Sequence, residues 1–219
     1  MVIVPMGLTD YEIENCIAFR EKGRLPVMCY VLGENETNKA TLWRSSQCKS
    51  GLTSYRSPED EKMIKYIAKI TNSKNGVIYD ARSYLNAVAN KFNGKGFHNE
   101  SNYIDTTVQF GDIPNIHSVK SAHKNLLDQV QDGTIITNDA ASWNGILQKI
   151  LLGATKIVNI MKNGTVVIIN CSDGWDRTPQ LISLVKIILD PYYRTFRGFR
   201  TLIDVEFIAF SHKFSSRLK

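Results

Sequence analysis

The sequence predicts an α/β fold in which a central mixed sheet is flanked by helices. Two observations carry this. Short β-branched runs alternate with longer stretches of helical periodicity along the whole chain, and a buried-type strand, a tight polar loop and a helix follow one another between Gly164 and Leu189. The size fits a single domain, because 219 residues with 43% hydrophobic content can bury a sizeable core.

Taken in order, Thr9-Asp10-Tyr11-Glu12 has the pattern of a capping box and opens a helix that runs to about residue 20. Residues 27–32 and 41–44 read as strands, joined by a hairpin over 33–39. Ser57-Pro58-Glu59-Asp60 opens a second capped helix that ends near residue 70. A strand over 76–79, a helix over 83–91 and a strand over 107–110 follow. Two longer helices are expected over about 116–130 and 139–161. The Gly-started run 164–170 is β-branched and apolar, whereas Pro179 to Leu189 reads as a mostly buried helix. Thr178 is its expected N-cap and Pro179 its first residue, where the missing N–H is harmless. A closing helix carries Lys213 and Arg217 four apart on one face.

Composition narrows the function classes. The net charge of +6 is moderate and spread out, which argues against nucleic acid as partner. No stretch approaches the roughly 20 apolar residues of a membrane span, and residues 1–5 are too short for a signal-peptide apolar region. Cys16, Cys29, Cys48 and Cys171 show neither metal-ligand spacing nor a disulfide pattern, so no metal or cofactor is expected and a reducing cytosol is the natural compartment. Arg194, Arg197 and Arg200 recur among Tyr192, Tyr193, Phe196 and Phe199. That mixture suits an anionic membrane interface, although scaffolding near the functional loop is the preferred reading.

Cys171 and Arg177 enclose Ser172-Asp173-Gly174-Trp175-Asp176, and five intervening residues suit a loop that wraps a phosphoryl group. A thiolate attacks phosphorus while a guanidinium forks onto the phosphoryl oxygens. Loop N–H groups and the positive end of the following helix favour a dianion and the thiolate alike. Thr178 is placed to donate its hydroxyl to the sulfur. A leaving alkoxide needs a proton, for which Asp176 is the favoured general acid and Asp173 the rival.

The run Asn170 to Thr178 resembles the active-site loop of the myotubularin family of phosphoinositide 3-phosphatases. Further matching blocks are Gly23-Arg24-Leu25-Pro26, Arg44-Ser45-Ser46-Gln47, Asp80-Ala81-Arg82, Asn86-Ala87-Val88-Ala89-Asn90-Lys91, Asn115-Ile116-His117 and Tyr192-Tyr193-Arg194-Thr195. The resemblance implies a tyrosine-phosphatase-like cysteine-phosphatase architecture over 1–219, without the family's amino-terminal lipid-binding domain and short at its carboxyl end. It implies removal of the D3 phosphate from phosphatidylinositol 3-phosphate and 3,5-bisphosphate through a cysteinyl-phosphate, without a metal and with the acid inside the loop. An inactive lipid-binding scaffold and a protein tyrosine or dual-specificity phosphatase are the alternatives. By the same resemblance Ser172, Asp173, Gly174, Trp175 and Thr178 cradle phosphate, while Asn90, Asn115, Ile116, Lys213 and Arg217 contact the headgroup. Lys213 departs from the family's usual arginine and Pro179 from its usual alanine. The implied partner is a phosphoinositide in endosomal membranes, reached from the cytoplasm by peripheral contact. Family-type dimerisation, which often uses other regions, is not expected.

Overall fold

A computed structural model describes residues 3–33, 39–70, 75–134, 139 and 141–217. Five strands form one mixed sheet in the order β1-β2-β5-β3-β4, comprising Val27–Leu32 (β1), Ala40–Ser46 (β2), Gly76–Asp80 (β3), Thr106–Phe110 (β4) and Val167–Cys171 (β5). β1 runs antiparallel to β2, and β2, β5, β3 and β4 are parallel neighbours. The three inner strands β2, β5 and β3 are buried at every residue, as expected where helices cover both faces of a parallel sheet. Edge strands β1 and β4 are only partly covered. Residues 34–38 of the expected β1–β2 hairpin lie outside the described residues.

Side chains alternate across the sheet and so build two cores. Leu42, Tyr79, Val167 and Ile169 face one side, where they meet Ala154, Ile157, Val158 and Met161 of α5 (Trp143–Lys162) and Leu181, Ile182 and Val185 of α6 (Arg177–Leu189). Trp43, Ile78 and Ile168 face the other side, against Cys16 of α1 (Asp10–Phe19) and Met63, Ile64 and Ile67 of α2 (Pro58–Ala68). The buried Trp43 indole donates to Thr41 Oγ1 at 2.9 Å, so its N–H is satisfied without leaving the core.

The helix starts follow capping chemistry. Thr9 and Glu12 complete the capping box of α1, Ser57 caps α2, and Ser83 caps α3 (Tyr84–Ala89), which continues into a 3-10 turn over Asn90–Asn93. Asn115 caps α4 (Ile116–Gln131). Three expectations need correction. α5 begins at Trp143 rather than 139, because Asp139 accepts the N–H groups of Ala141 and Ser142 in a preceding turn and Ser142 is the N-cap. α6 begins at Arg177, two residues before Pro179; Asp176 occupies the N-cap position and the Thr178 hydroxyl is directed elsewhere. Among the described residues no single helix runs through the closing segment: α7 (Phe196–Ile203) passes into a π turn over Asp204–Ile208, Ser211 turns at φ +59°, and α8 covers Phe214–Arg217. Lys213 therefore precedes α8 instead of sharing a helical face with Arg217.

The Tyr192-Tyr193-Arg194-Thr195 block does not lie by the loop at the start of α6. It follows the opposite end of that helix, where Arg194 donates to the carbonyl of Ile187 at 2.7 Å. Residues 93–103 are tied into the fold, since Gly96 O accepts from Arg82 at 2.8 Å and His98 packs edge-on against Tyr103 in a buried site.

Neither ring nitrogen of His98 has a hydrogen-bond partner among the described residues, and burial, reinforced by Arg20 and Arg82, holds its pKa well below the usual 6.5. A histidine kept neutral by the fold favours folding fully above its unfolded pKa, and this contribution is lost as pH falls below roughly 6.5. Unfolding free energy is expected to fall by up to about 1.4 kcal/mol per pH unit on acidification below that point. His98→Phe is expected to flatten that slope in denaturant titrations.

Candidate active site

The parallel strands bring several chain segments to one carboxyl edge. Ser46 at the end of β2 is level with Cys171 at the end of β5, and Asp80 at the end of β3 is level with Asn170. The loop from Cys171 to Arg177 leaves the centre of that edge and turns directly into α6. The loop thus leads from the nucleophile straight into a helix N-terminus that no N-cap side chain closes, and a loop of this kind before a helix start suits a phosphate dianion.

Thr178 Oγ1 donates to Cys171 Sγ at 3.2 Å, which accounts for its failure to cap α6. The Arg177 guanidinium is fixed from both sides, donating through Nη1 to Ile113 O and through Nη2 to Ser172 Oγ, each at 3.2 Å. Gly174 turns at φ +78°, and a Cβ there would come within 2.9 Å of Ser45 O, so only glycine fits this corner without movement. From beneath, Arg44 Nη2 donates to Gly174 O at 2.9 Å and the Gln47 N–H to Ser172 O at 3.1 Å. Asn170 donates to Asp80 at 3.1 Å, and Asp80 in turn holds Arg82 through paired contacts.

The Trp175 ring stands between two cations, with the Arg24 guanidinium carbon 4.7 Å and Lys213 Nζ 4.8 Å from its centroid. Asp176 accepts from Arg217 Nε at 3.0 Å and Nη2 at 2.7 Å, and His212 Nδ1 lies 3.3 Å from its Oδ1. His212 Nδ1 also donates to the Trp175 carbonyl at 2.5 Å. An open cleft of about 370 Å³ unites Asn115, Ile116 and His117 with Cys171, Ser172, Asp173, Trp175, Asp176, Arg177 and Arg217.

The structure therefore gathers most of the sequence-derived site. Asn90 is not among the residues lining the cleft; it ends α3, and its carbonyl accepts from Lys95 at 3.1 Å. Asn115 reaches the cleft, yet its side-chain oxygen is occupied in capping α4 through His117 and Ser118. Lys213 approaches the site through Trp175.

The family profile of the myotubularin-like phosphatase domain matches residues 1–219. The chain belongs to the myotubularin family. It is 36% identical to Myotubularin of Xenopus laevis over 226 residues, covering 100% of this chain and 37% of that protein. It is 36% identical to phosphatidylinositol-3,5-bisphosphate 3-phosphatase MTMR2 of Bos taurus over 225 residues, covering 100% of this chain and 34% of that protein. It is 38% identical to phosphatidylinositol-3,5-bisphosphate 3-phosphatase MTMR6 of Caenorhabditis elegans over 205 residues, covering 91% of this chain and 30% of that protein. The chain spans about a third of the length of these relatives.

In this myotubularin domain the site extends beyond the residues singled out in the sequence. His212 carries no spacing signal, because its contacts to Trp175 and Asp176 depend on the turn at Ser211. Arg24 stands in a matched block, but its contact with Trp175 forms only once the segment before β1 is drawn to the loop, where the Ser46 N–H donates to Arg24 O at 3.1 Å.

The other cysteines are set apart from Cys171 chemically. Burial pushes the Cys16 thiol up to about 12 and raises those of Cys29 and Cys48. Iodoacetamide near neutral pH is accordingly expected to label Cys171 first, with inorganic phosphate protecting it. Peptide mass mapping would show the order of modification.

Proposed function

We propose that this chain is a phosphoinositide 3-phosphatase that removes the D3 phosphate of phosphatidylinositol 3-phosphate and phosphatidylinositol 3,5-bisphosphate, acting from the cytoplasm by peripheral contact with endosomal membranes. The observation that carries the reading is the single cleft in which Cys171, Arg177 and the two loop carboxylates meet. The printed activities of the MTMR2 and MTMR6 relatives support the substrate class. Among the described residues, no helix is long and apolar enough to cross a membrane.

In this reading Cys171 Sγ attacks phosphorus in line with the inositol oxygen, the P–O bond breaks, and Asp176 delivers its proton to the departing hydroxyl. Arg177 and the loop N–H groups hold the equatorial oxygens as charge builds. Water then attacks the cysteinyl-phosphate, Asp176 accepts its proton, the S–P bond breaks, and inorganic phosphate leaves. Thr178 stabilises the sulfur as nucleophile and again as leaving group.

Both Asp176 oxygens are occupied by Arg217, whereas Asp173 also lines the cleft. Asp173 is therefore the rival acid. On the Asp176 assignment, Arg217 passes to a substrate phosphate and frees the carboxylate for proton transfer.

With soluble short-chain phosphatidylinositol 3-phosphate, Cys171→Ser is expected to release no phosphate. Asp176→Asn is expected to lose about 10²- to 10⁴-fold in kcat, with Asp173→Asn affected less; the reverse order would move the acid to Asp173. A phosphotyrosine peptide should be a poor substrate, and release from neither compound by the folded wild-type protein would favour the scaffold reading. Lys213→Arg is expected to raise kcat/KM for the bisphosphate relative to the monophosphate, because a planar fork replaces a point charge.

A further inference from the structure

The helical run after β3 turns an apolar stripe toward solvent. Leu85, Ala89 and Phe92 are spaced i, i+4 and i+7 across α3 and its 3-10 extension, so they share one face. All three are exposed, Leu85 at 78% and Phe92 at 74%. The inward side of the same run is marked by Ala87, which is fully buried. A stripe with this spacing normally faces a core; here it faces away from one.

Its position relates it to the catalytic loop. α3 starts four residues after Asp80, and the intervening Ala81 N–H donates to Asn170 O at 2.8 Å, one residue before Cys171. A second exposed apolar side chain comes to the same edge from a different segment. Gly51 sits with its Cβ direction 3.7 Å from Gly94 Cα, which brings the neighbouring Leu52, 63% exposed, to the end of the 3-10 turn. That segment is joined to the loop through the Gln47 N–H to Ser172 O bond.

The charge of these two segments is one-sided. Residues 47–58 and 81–99 contain Lys49, Arg56, Arg82, Lys91 and Lys95, and no aspartate or glutamate. Arg82 and Arg56 are committed to Asp80 and Glu61. Lys95 faces Glu21 at 3.7 Å, whereas Lys49, which donates to the Ala18 carbonyl, and Lys91, which lies over the Phe97 ring, meet no carboxylate among the described residues. Beside Leu52 and Phe92 in the chain, these two cations give the apolar stripe a basic rim that matches an anionic bilayer.

We propose that Leu85, Phe92 and Leu52, with the flanking Lys49 and Lys91, form the surface by which this domain docks onto an anionic lipid bilayer, so that the cleft faces the membrane carrying its substrate. The inference rests on the lipid-substrate reading above. The basic-aromatic patch of α7 is excluded from this role by its place in the fold. Phe196 is 100% exposed, but it follows the far end of α6, a 13-residue helix and hence roughly 20 Å from the loop. A bilayer seated there would not present a headgroup to Cys171.

The test uses the full chain with vesicles of phosphatidylcholine plus phosphatidylserine, and with pure phosphatidylcholine vesicles for comparison. Co-sedimentation of the wild type with the anionic vesicles is expected, and the double variant Leu85→Asp/Phe92→Asp is expected to weaken it by about tenfold or more. Phe196→Asp is expected to sediment as the wild type does. Thermal melts confirm that each variant is folded. Turnover of soluble short-chain phosphatidylinositol 3-phosphate should be the same in all of them. Unaltered sedimentation of the double variant, or loss of it in Phe196→Asp alone, overturns the assignment. So does failure of the wild type to sediment with anionic vesicles, a result that points to a protein partner instead. Absence of turnover on the soluble substrate, with sedimentation as expected, overturns the enzymatic reading while the docking surface stands.

Discussion

The buried guanidinium of Arg44 is the interaction on which the site depends. It donates to Glu206 Oε2 at 2.7 Å and to the Glu206 carbonyl at 2.8 Å, while its other nitrogen supports Gly174 O. Its central carbon lies 3.8 Å from the centre of the Phe210 ring, and Glu206 also receives Lys186 from α6. One side chain of β2 thereby joins the sheet, the loop and the segment that carries His212, Lys213 and Arg217. Removing either member of such a buried pair leaves an uncompensated charge, at a typical cost of about 3–5 kcal/mol. The loop is held as much by this polar anchor as by its own backbone.

Two further buried arginines repeat the arrangement on neighbouring segments. Arg20 forms paired contacts of 2.7 Å with Asp60, which also accepts from the Tyr103 hydroxyl at 2.9 Å, and Arg82 is held by Asp80 and by Gln47. Each of these cations also bonds a main-chain carbonyl, at Ser46 for Arg20 and at Gly96 for Arg82. A planar fork can serve a carboxylate and a carbonyl simultaneously, which lysine does with far less geometric constraint. The carboxyl edge of the sheet is consequently fastened by side chains where the strands themselves have ended.

The strands and the nucleophile loop were legible because local pattern and tertiary demand agree there. Runs such as Val167–Cys171 are apolar on both faces in the sequence and buried on both faces in the fold. The beginning of α6 was misread for a chemical reason: Thr178 and Pro179 make a good helix start, but the threonine hydroxyl is taken by Cys171. Asp139 misled similarly, as its carboxylate caps a turn before α5 rather than α5 itself. The pairing of Asp176 with Arg217 and the contacts of His212 join residues about forty positions apart, and no local periodicity encodes them. Asn115 shows why an asparagine in a matched block is ambiguous, since its side-chain oxygen, although at the cleft, is used by α4.

The π turn over Asp204–Ile208 holds one more residue than an α-helical turn would. That extra residue acts as a phase setting for everything that follows it. Deleting one position there would let the turn relax into α-helix and re-aim the residues within it. Glu206 would leave Arg44, and the segment that attends Trp175 and Asp176 would lose its anchor to β2. The chain length between α7 and α8 is therefore a site constraint in its own right, intolerant of a single insertion or deletion even where the side chains involved are plain.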